Sequence, residues 1–250
     1  MDKLNTMNSN NTVYLTGTIM KAPDYSHEVY GEGFYETTLS VARLSDQTDI
    51  IPITISERLM TSIPFEIGNV ISVRGQFRSY NKTTDGRSKL MLTVFVREID
   101  EKPNHAMNPN QIEISGFLCK DPVFRTTPFR REICDILVAV NRAYKKSDYI
   151  PCIAWGRNAR FASSLKIGSH VDLCGRIQSR EYQKQFTDGS LDVRTAYEIS
   201  IARLSINNTP IDVSVEGQTL SMCEDQSEDI CFGQQIESCC GADDQPSTID

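Results

Sequence analysis

Rings and cations recur at strand spacing in the second half of this 250-residue chain. Within SDYIPCIAWGR (147–157), alternation sets Tyr149, Pro151, Ile153 and Trp155 on one face and Ile150, Cys152 and Ala154 on the other, with Arg157 directly after. The second set is compact enough for a core, whereas the first carries two rings, one of them the only tryptophan of the chain. In 169–182, Val171, Leu173, Gly175 and Ile177 read as core. Arg176, Gln178, Arg180 and Tyr182 form a basic face that ends in a ring, and Lys184 follows. Upstream, Arg142 and Tyr144 share a face, and Lys145 and Lys146 come next. Rings interleaved with cations suit single-stranded nucleic acid. Unpaired bases stack on the rings at roughly 1–3 kcal/mol each, and the cations track the phosphates. Duplex DNA needs no exposed rings, because its bases are already stacked. Any one of these rings reads as ordinary sheet packing, but four beside Arg142, Arg157, Arg176 and Arg180 read as a binding face.

The elements that must position these residues occur twice. VYLTGTIMKAPDY (13–25) aligns with IEISGFLCKDPVF (112–124), and DIIPI (49–53) with DYIPC (148–152), both at an offset of 99. IGNVISVRGQFRS (67–79) aligns with IGSHVDLCGRIQS (167–179) at 100, and the TDG at 84–86 with that at 187–189 at 103. Four blocks in one order, with length changes only between them, are two copies of one domain. The expected organisation is a first domain at 11–100, a linker at 101–110, a second domain at 111–206 and a tail at 207–250. In the second copy, strands are predicted over 111–119, 133–143, 148–156, 169–182 and 193–205. A helix is predicted over 157–166, closed by Gly168. An all-β unit of about 100 residues, with five strands and a short helix between the third and fourth, fits a Greek-key barrel of the OB type. An open sandwich satisfies the same pattern.

Charge is distributed unevenly. The net charge of −7 combines −2 over 1–110, +5 over 111–206 and −10 over 207–250, where no Lys or Arg occurs. A basic part beside a strongly acidic tail points to a polyanion partner for the former and an interaction or screening role for the latter. Low periodicity and an acidic, polar composition predict disorder in the tail. The polar start MDKLNTMNSNN and the lack of a long apolar run predict a soluble, cytoplasmic protein without a membrane span. The eight cysteines then read as reduced thiols. Cys223, Cys231, Cys239 and Cys240 lack the close pairing of a zinc site, so neither a metal nor another cofactor is expected. His27, His105 and His170 are scattered, and no nucleophile–base pattern or phosphate loop accompanies them, so the chain reads as a binding protein and not an enzyme.

Residues 112–206 resemble the bacterial single-stranded DNA-binding protein family through IEISGFLCKDP, RTTPF, LVAVNRAY, DYIPCIAWGRNA, LKIGSHVDLCGRIQSREY and the closing EISI. The resemblance implies an OB barrel wrapped by single-stranded DNA in replication, recombination or repair, with stacking rings at Tyr144, Tyr149, Trp155 and Tyr182. The first copy departs from this set. The repeat alignment puts Ser45, Ile50, Ser56 and Tyr80 at those places, with Arg74 and Arg78 also on that strand, so Arg78 and Tyr80 are its candidate contacts. The family's tail ends in acidic residues followed by Ile-Pro-Phe. This chain ends QPSTID, while Glu228-Asp229-Ile230-Cys231-Phe232 holds a similar order internally, making Asp229, Ile230 and Phe232 candidates for docking replication or repair proteins. Single-barrel members form tetramers, so two barrels per chain imply a homodimer. The competing reading is a primosome- or recombination-type adaptor whose barrels mainly hold protein partners.

Overall fold

In the computed structural model the described residues are 10–43, 45–61, 64–84, 87–100, 108–143, 146–185 and 191–207. Most of the expected linker and all but Asn207 of the expected tail, with Asp229, Ile230 and Phe232, lie outside them, as do Tyr144 and Lys145. The first half comprises β1 (Asn11–Ile19), β2 (Asp24–Val29), β3 (Glu32–Ala42), β4 (Thr48–Ser56), α1 (Glu57–Met60), β5 (Val70–Thr84) and β6 (Arg87–Asp100). The second repeats the order with β7 (Asn110–Leu118), β8 (Val123–Thr126), β9 (Glu132–Asn141), β10 (Ser147–Trp155), α2 (Arg157–Ser163), β11 (His170–Gln185) and β12 (Leu191–Ile206). Each half has six strands where the pattern predicts five. The additional ones, β2 and β8, are short and almost wholly exposed, so no alternation of apolar and polar residues marks them. The helix ends at Ser163, three residues before the expected position.

Within each half the strands close on themselves. β1 pairs with both β5 and β3, completing a circuit through β6 and β4, and β7 pairs with both β11 and β9. Alternation fills the interiors: Leu15, Leu39, Ile51, Ile53, Val73, Phe77 and Val94 in one half, and Ile112, Val138, Ile150, Cys152, Val171, Ile177 and Ile199 in the other. Both long hairpins contain a bulge, between Arg74 and Gly75 and between Cys174 and Gly175. A methyl group at either glycine would run into the carbonyl of the partner strand, Phe95 or Ser200, so only glycine allows this approach.

The halves meet with internal two-fold symmetry. β1 and β7 pair antiparallel about Val13 and Ile112. Asn11 accepts from the Phe77 amide at 2.9 Å and donates to its carbonyl at 2.7 Å, while Asn110 does the same to Ile177 at 2.9 and 2.7 Å. Asp49 accepts the Ser179 amide at 2.8 Å, and Asp148 accepts the Ser79 amide at 2.7 Å. The serine hydroxyls accept in turn from the Ile50 and Tyr149 amides. The Asp and Ser groups satisfy one another across the junction, while each Asn bonds within its own half, as removal from water demands of all of them.

Candidate nucleic-acid interface

Register carries one outward face across five strands of the second half. Arg176 opposes Ser200, Ser200 opposes Ile153, Ile153 opposes Asp135, and Asp135 opposes Val123. Directly paired residues share a face. Arg176, Arg180 and Tyr182 of β11 therefore lie on the same surface as Tyr149 and Trp155 of β10. Trp155 is 38% exposed, and Tyr149 and Tyr182 are half-buried. Ile133, Leu137, Ala139 and Ile153 are buried on this outer face, apart from the interior core, and give the rings an apolar bed. Arg157, the first residue of α2, and Lys146 are exposed nearby in sequence; Lys184 lies on β11.

Several of the arginines already have partners. Arg142 Nε lies 3.1 Å from Asp148 Oδ2, an ion pair without hydrogen-bond alignment. Arg176 donates across the junction to Asp49 at 3.0 Å and along its own strand to Gln178 at 2.9 Å. Burial lowers its pKa, with Asp49 pulling the other way. Arg43 holds the same Asp49 with two bonds of 2.6 and 2.9 Å. Arg180 is 3.6 Å from Glu198, whose other contact is a 2.6 Å bond from Gln178. Asp148 is pushed up from the ordinary carboxylate range chiefly by burial, against the pull of the Ser79 amide, Arg142 and Arg78. Two cations missed by the sequence reading share the face. Arg194 opposes Tyr182 across the hairpin, and Arg125 opposes Ile133, where it bonds Asp135 at 2.8 Å. Their signal was register: Arg194 emerges once β12 is aligned on β11, and Arg125 once β8 is recognised.

The same rows in the first half are chemically different. Gln76, Phe95, Thr54 and Glu36 replace Arg176, Ser200, Ile153 and Asp135. Ser56 opposes Phe34 where Trp155 opposes Ile133. Phe34 is covered, stacked on His27 and tilted against Phe95. Arg78 lies 3.9 Å above the Phe95 ring, and burial, then the Arg142 and Arg97 charges, push it down to about 10. Tyr80 donates to Glu36 at 3.2 Å and is pushed up to about 12, mainly by burial and then by Glu36. The reciprocal Asp–Ser bonds also fix the offset along β5 and β11 at 100, because Ser79 answers Ser179. Tyr80 thus stands at the place of Arg180, and Lys82 at that of Tyr182. The repeat alignment matches Tyr80 to Tyr182 at an offset of 102, which places the added residues of the longer second hairpin too early along the strand.

The buried thiols of Cys134, pushed up to about 11, and Cys152, raised well above the ordinary thiol value, are kept protonated chiefly by desolvation. Among the described residues no cluster of three His, Cys, Asp or Glu side chains is placed to hold a metal, and no helix is long and apolar enough to cross a membrane. The surface offers rings and cations to a ligand.

Residues 109–206 match the Single-strand binding protein family. Single-stranded DNA-binding protein A of Bacillus subtilis (strain 168) is 36% identical over 83 residues, 30% of this chain and 48% of the relative. The single-stranded DNA-binding protein of Oceanobacillus iheyensis is 31% identical over 119 residues, 45% of this chain and 70% of the relative. The match spans about half the length of the Bacillus and Listeria relatives. The wild-type single-stranded DNA binding protein from Thermus aquaticus superposes in fold with a TM-score of 0.62 at 22% identity, covering 80% of this chain and 94% of that one. That share exceeds the family block and so takes in strands of the first half. The chain belongs to the Single-strand binding protein family.

Proposed function

We propose that the chain is two tandem OB barrels, 11–100 and 111–206, of which the second binds single-stranded DNA without sequence preference in replication, recombination or repair. One observation carries the reading: Trp155, Tyr149 and Tyr182 share one face with Arg180 and Arg194, over an apolar bed of Ile133, Leu137 and Ile153. Tyr144, matched to the family's fourth ring, completes the set. Bases stack on the rings, and Arg157, Arg180, Lys145, Lys146 and Lys184 follow the phosphates. Arg142 and Arg176 add positive potential while bracing Asp148 and Asp49. Arg78 and Tyr80 make secondary contacts at most, since Phe95 and Glu36 engage them. The protein works by binding, without a cofactor. Two chains pair as a homodimer to bring four barrels to one strand. The acidic tail competes for the binding cations and presents Asp229, Ile230 and Phe232 to partner proteins.

Anisotropy of labelled oligo-dT against a duplex of equal length tests this. The single strand should bind more tightly at every salt concentration, and affinity should fall as salt rises, because phosphate contacts release counterions. Equal affinity for the two would indicate electrostatic attraction alone. An oligo-dT affinity too weak to measure at low salt would favour the adaptor reading.

A further inference from the structure

The hairpins at the ends of the 12-strand sheet differ in charge. The β2–β3 hairpin, residues 24–36, holds Asp24, Glu28, Glu32 and Glu36 and no Lys or Arg. The β8–β9 hairpin, residues 123–135, holds Arg125, Arg130 and Arg131 against Glu132 and Asp135, and its tip reads Thr-Pro-Phe-Arg-Arg. Both tips lift a ring into solvent: Tyr30 is fully exposed, and Phe129 is 69% exposed. The basic tip is braced. The Thr127 amide donates to the Arg131 carbonyl at 2.9 Å, the Arg130 amide to the Thr127 carbonyl at 2.8 Å, and the Arg131 amide to the Thr127 hydroxyl at 3.0 Å. Arg130 holds a positive φ of 58° within this turn.

Register aims the tip. Arg125 of β8, Ile133 of β9 and Trp155 of β10 form one row on the outward face. Arg131 precedes β9 by one residue, and its backbone bonds to Thr127 carry the β8–β9 pairing one position past Thr126 and Glu132, two residues from Ile133 and so about 7 Å from it at strand spacing. Glu132, which would oppose a phosphate here, is neutralised by Arg160 at 2.6 Å, and Asp135 by Arg125. We infer that this tip, with Phe129 as a stacking ring and Arg130 and Arg131 as phosphate contacts, prolongs the single-strand path beyond Trp155. The inference rests on the proposed single-strand binding. The counterpart hairpin around Tyr30 has Asp24 and Glu32 paired to Lys21 and Arg58 and no Lys or Arg of its own, so it offers a phosphate no cation and the extension exists in one half only.

Full-length Phe129→Ala, Arg130→Gln/Arg131→Gln and Tyr30→Ala proteins, titrated with an oligo-dT length series, test it. The series starts from the shortest oligomer that quenches Trp155. Phe129→Ala should bind that shortest oligomer normally and longer ones about fivefold more weakly, the low end for one stacked base. The double arginine variant should reduce the salt slope on long oligomers by about 0.7 per lost phosphate contact. Tyr30→Ala should match the wild type throughout. Unchanged long-oligomer affinity in Phe129→Ala, or an equal loss at every length, overturns the assignment while Trp155 quenching leaves the binding reading intact. No quenching in the wild type would reject that reading, and the inference with it.

Discussion

The two halves share one strand order, one bulge position and one reciprocal set of junction bonds, yet their outward faces differ residue by residue. Inside, conserving volume and alternation preserves the closed sheet: Leu39, Ile51 and Val73 do in the first half what Val138, Ile150 and Leu173 do in the second. Outside, Trp155 over Ile133 becomes Ser56 over Phe34, and Tyr149 beside Ala139 becomes Ile50 beside Ser40. Core packing fixes the shape of a half and leaves its outer rows free to diverge. The junction is asymmetric in a related way: Asp49 gathers Arg43, Arg176 and the Ser179 amide, whereas Asp148 has the Ser79 amide and the poorly aligned Arg142.

That junction asymmetry gives the largest expected effect. Asp49→Ala strands two arginines and an amide, so unfolding by denaturant should show a loss of about 3–5 kcal/mol. Asp148→Ala should cost clearly less, because burial already disfavours its charged form. A larger loss at Asp148 would invert the comparison. Binding comes next. Trp155→Ala should weaken oligo-dT binding by about 1–3 kcal/mol. Tyr80→Ala, which releases a ring held by Glu36, should cost less in the same titration. Equal losses would show that the first half carries its share of the strand.

A pH titration sharpens the junction comparison further. Asp148 has a raised pKa in the folded protein, so its contribution favours folding below the ordinary carboxylate value of 3.8 and is lost as pH rises through the folded value. Stability of the wild type relative to Asp148→Asn should therefore decline as pH increases across that window. A flat difference would mean that the Ser79 and Arg142 contacts offset burial completely. The smallest effect belongs to the tail. Ten acidic residues tethered near a basic half compete for the same cations, so deleting 208–250 should tighten oligo-dT binding at low salt, with the gain shrinking as salt screens it. Weaker binding after the deletion would make the tail part of the binding unit.

Much of this was legible in the sequence, for identifiable reasons. Alternation in 147–155 and 171–182 sorted core from face correctly: Ile150, Cys152, Val171 and Ile177 are buried, and Trp155 and Arg180 point outward. The repeat made the symmetry visible before any fold was drawn. Alternation could not reveal that Ile153, Leu137 and Ile133 are buried on the outer face, since that depends on neighbouring strands. Nor could it show that Arg142 turns back to Asp148 within its own half, or that Arg176 reaches Asp49 of the other, which depends on how the halves assemble. β2 and β8 escaped for want of a buried face, and Arg125 escaped with them. Tyr80 was matched to Tyr182, ring to ring, because residue type alone does not show where a hairpin lengthens, while the Ser79 and Ser179 bonds align the strands by position in space.

The emission of Trp155 tests the central claim most directly. It is the only tryptophan of the chain and sits partly exposed on the proposed stacking face, so the signal reports that face alone. Titration with oligo-dT should quench it to saturation, with far less change on duplex DNA of equal length and a weaker apparent affinity as salt rises. Oligo-dT binding, detected by gel shift, that leaves Trp155 emission unchanged would place the strand elsewhere and contradict the account.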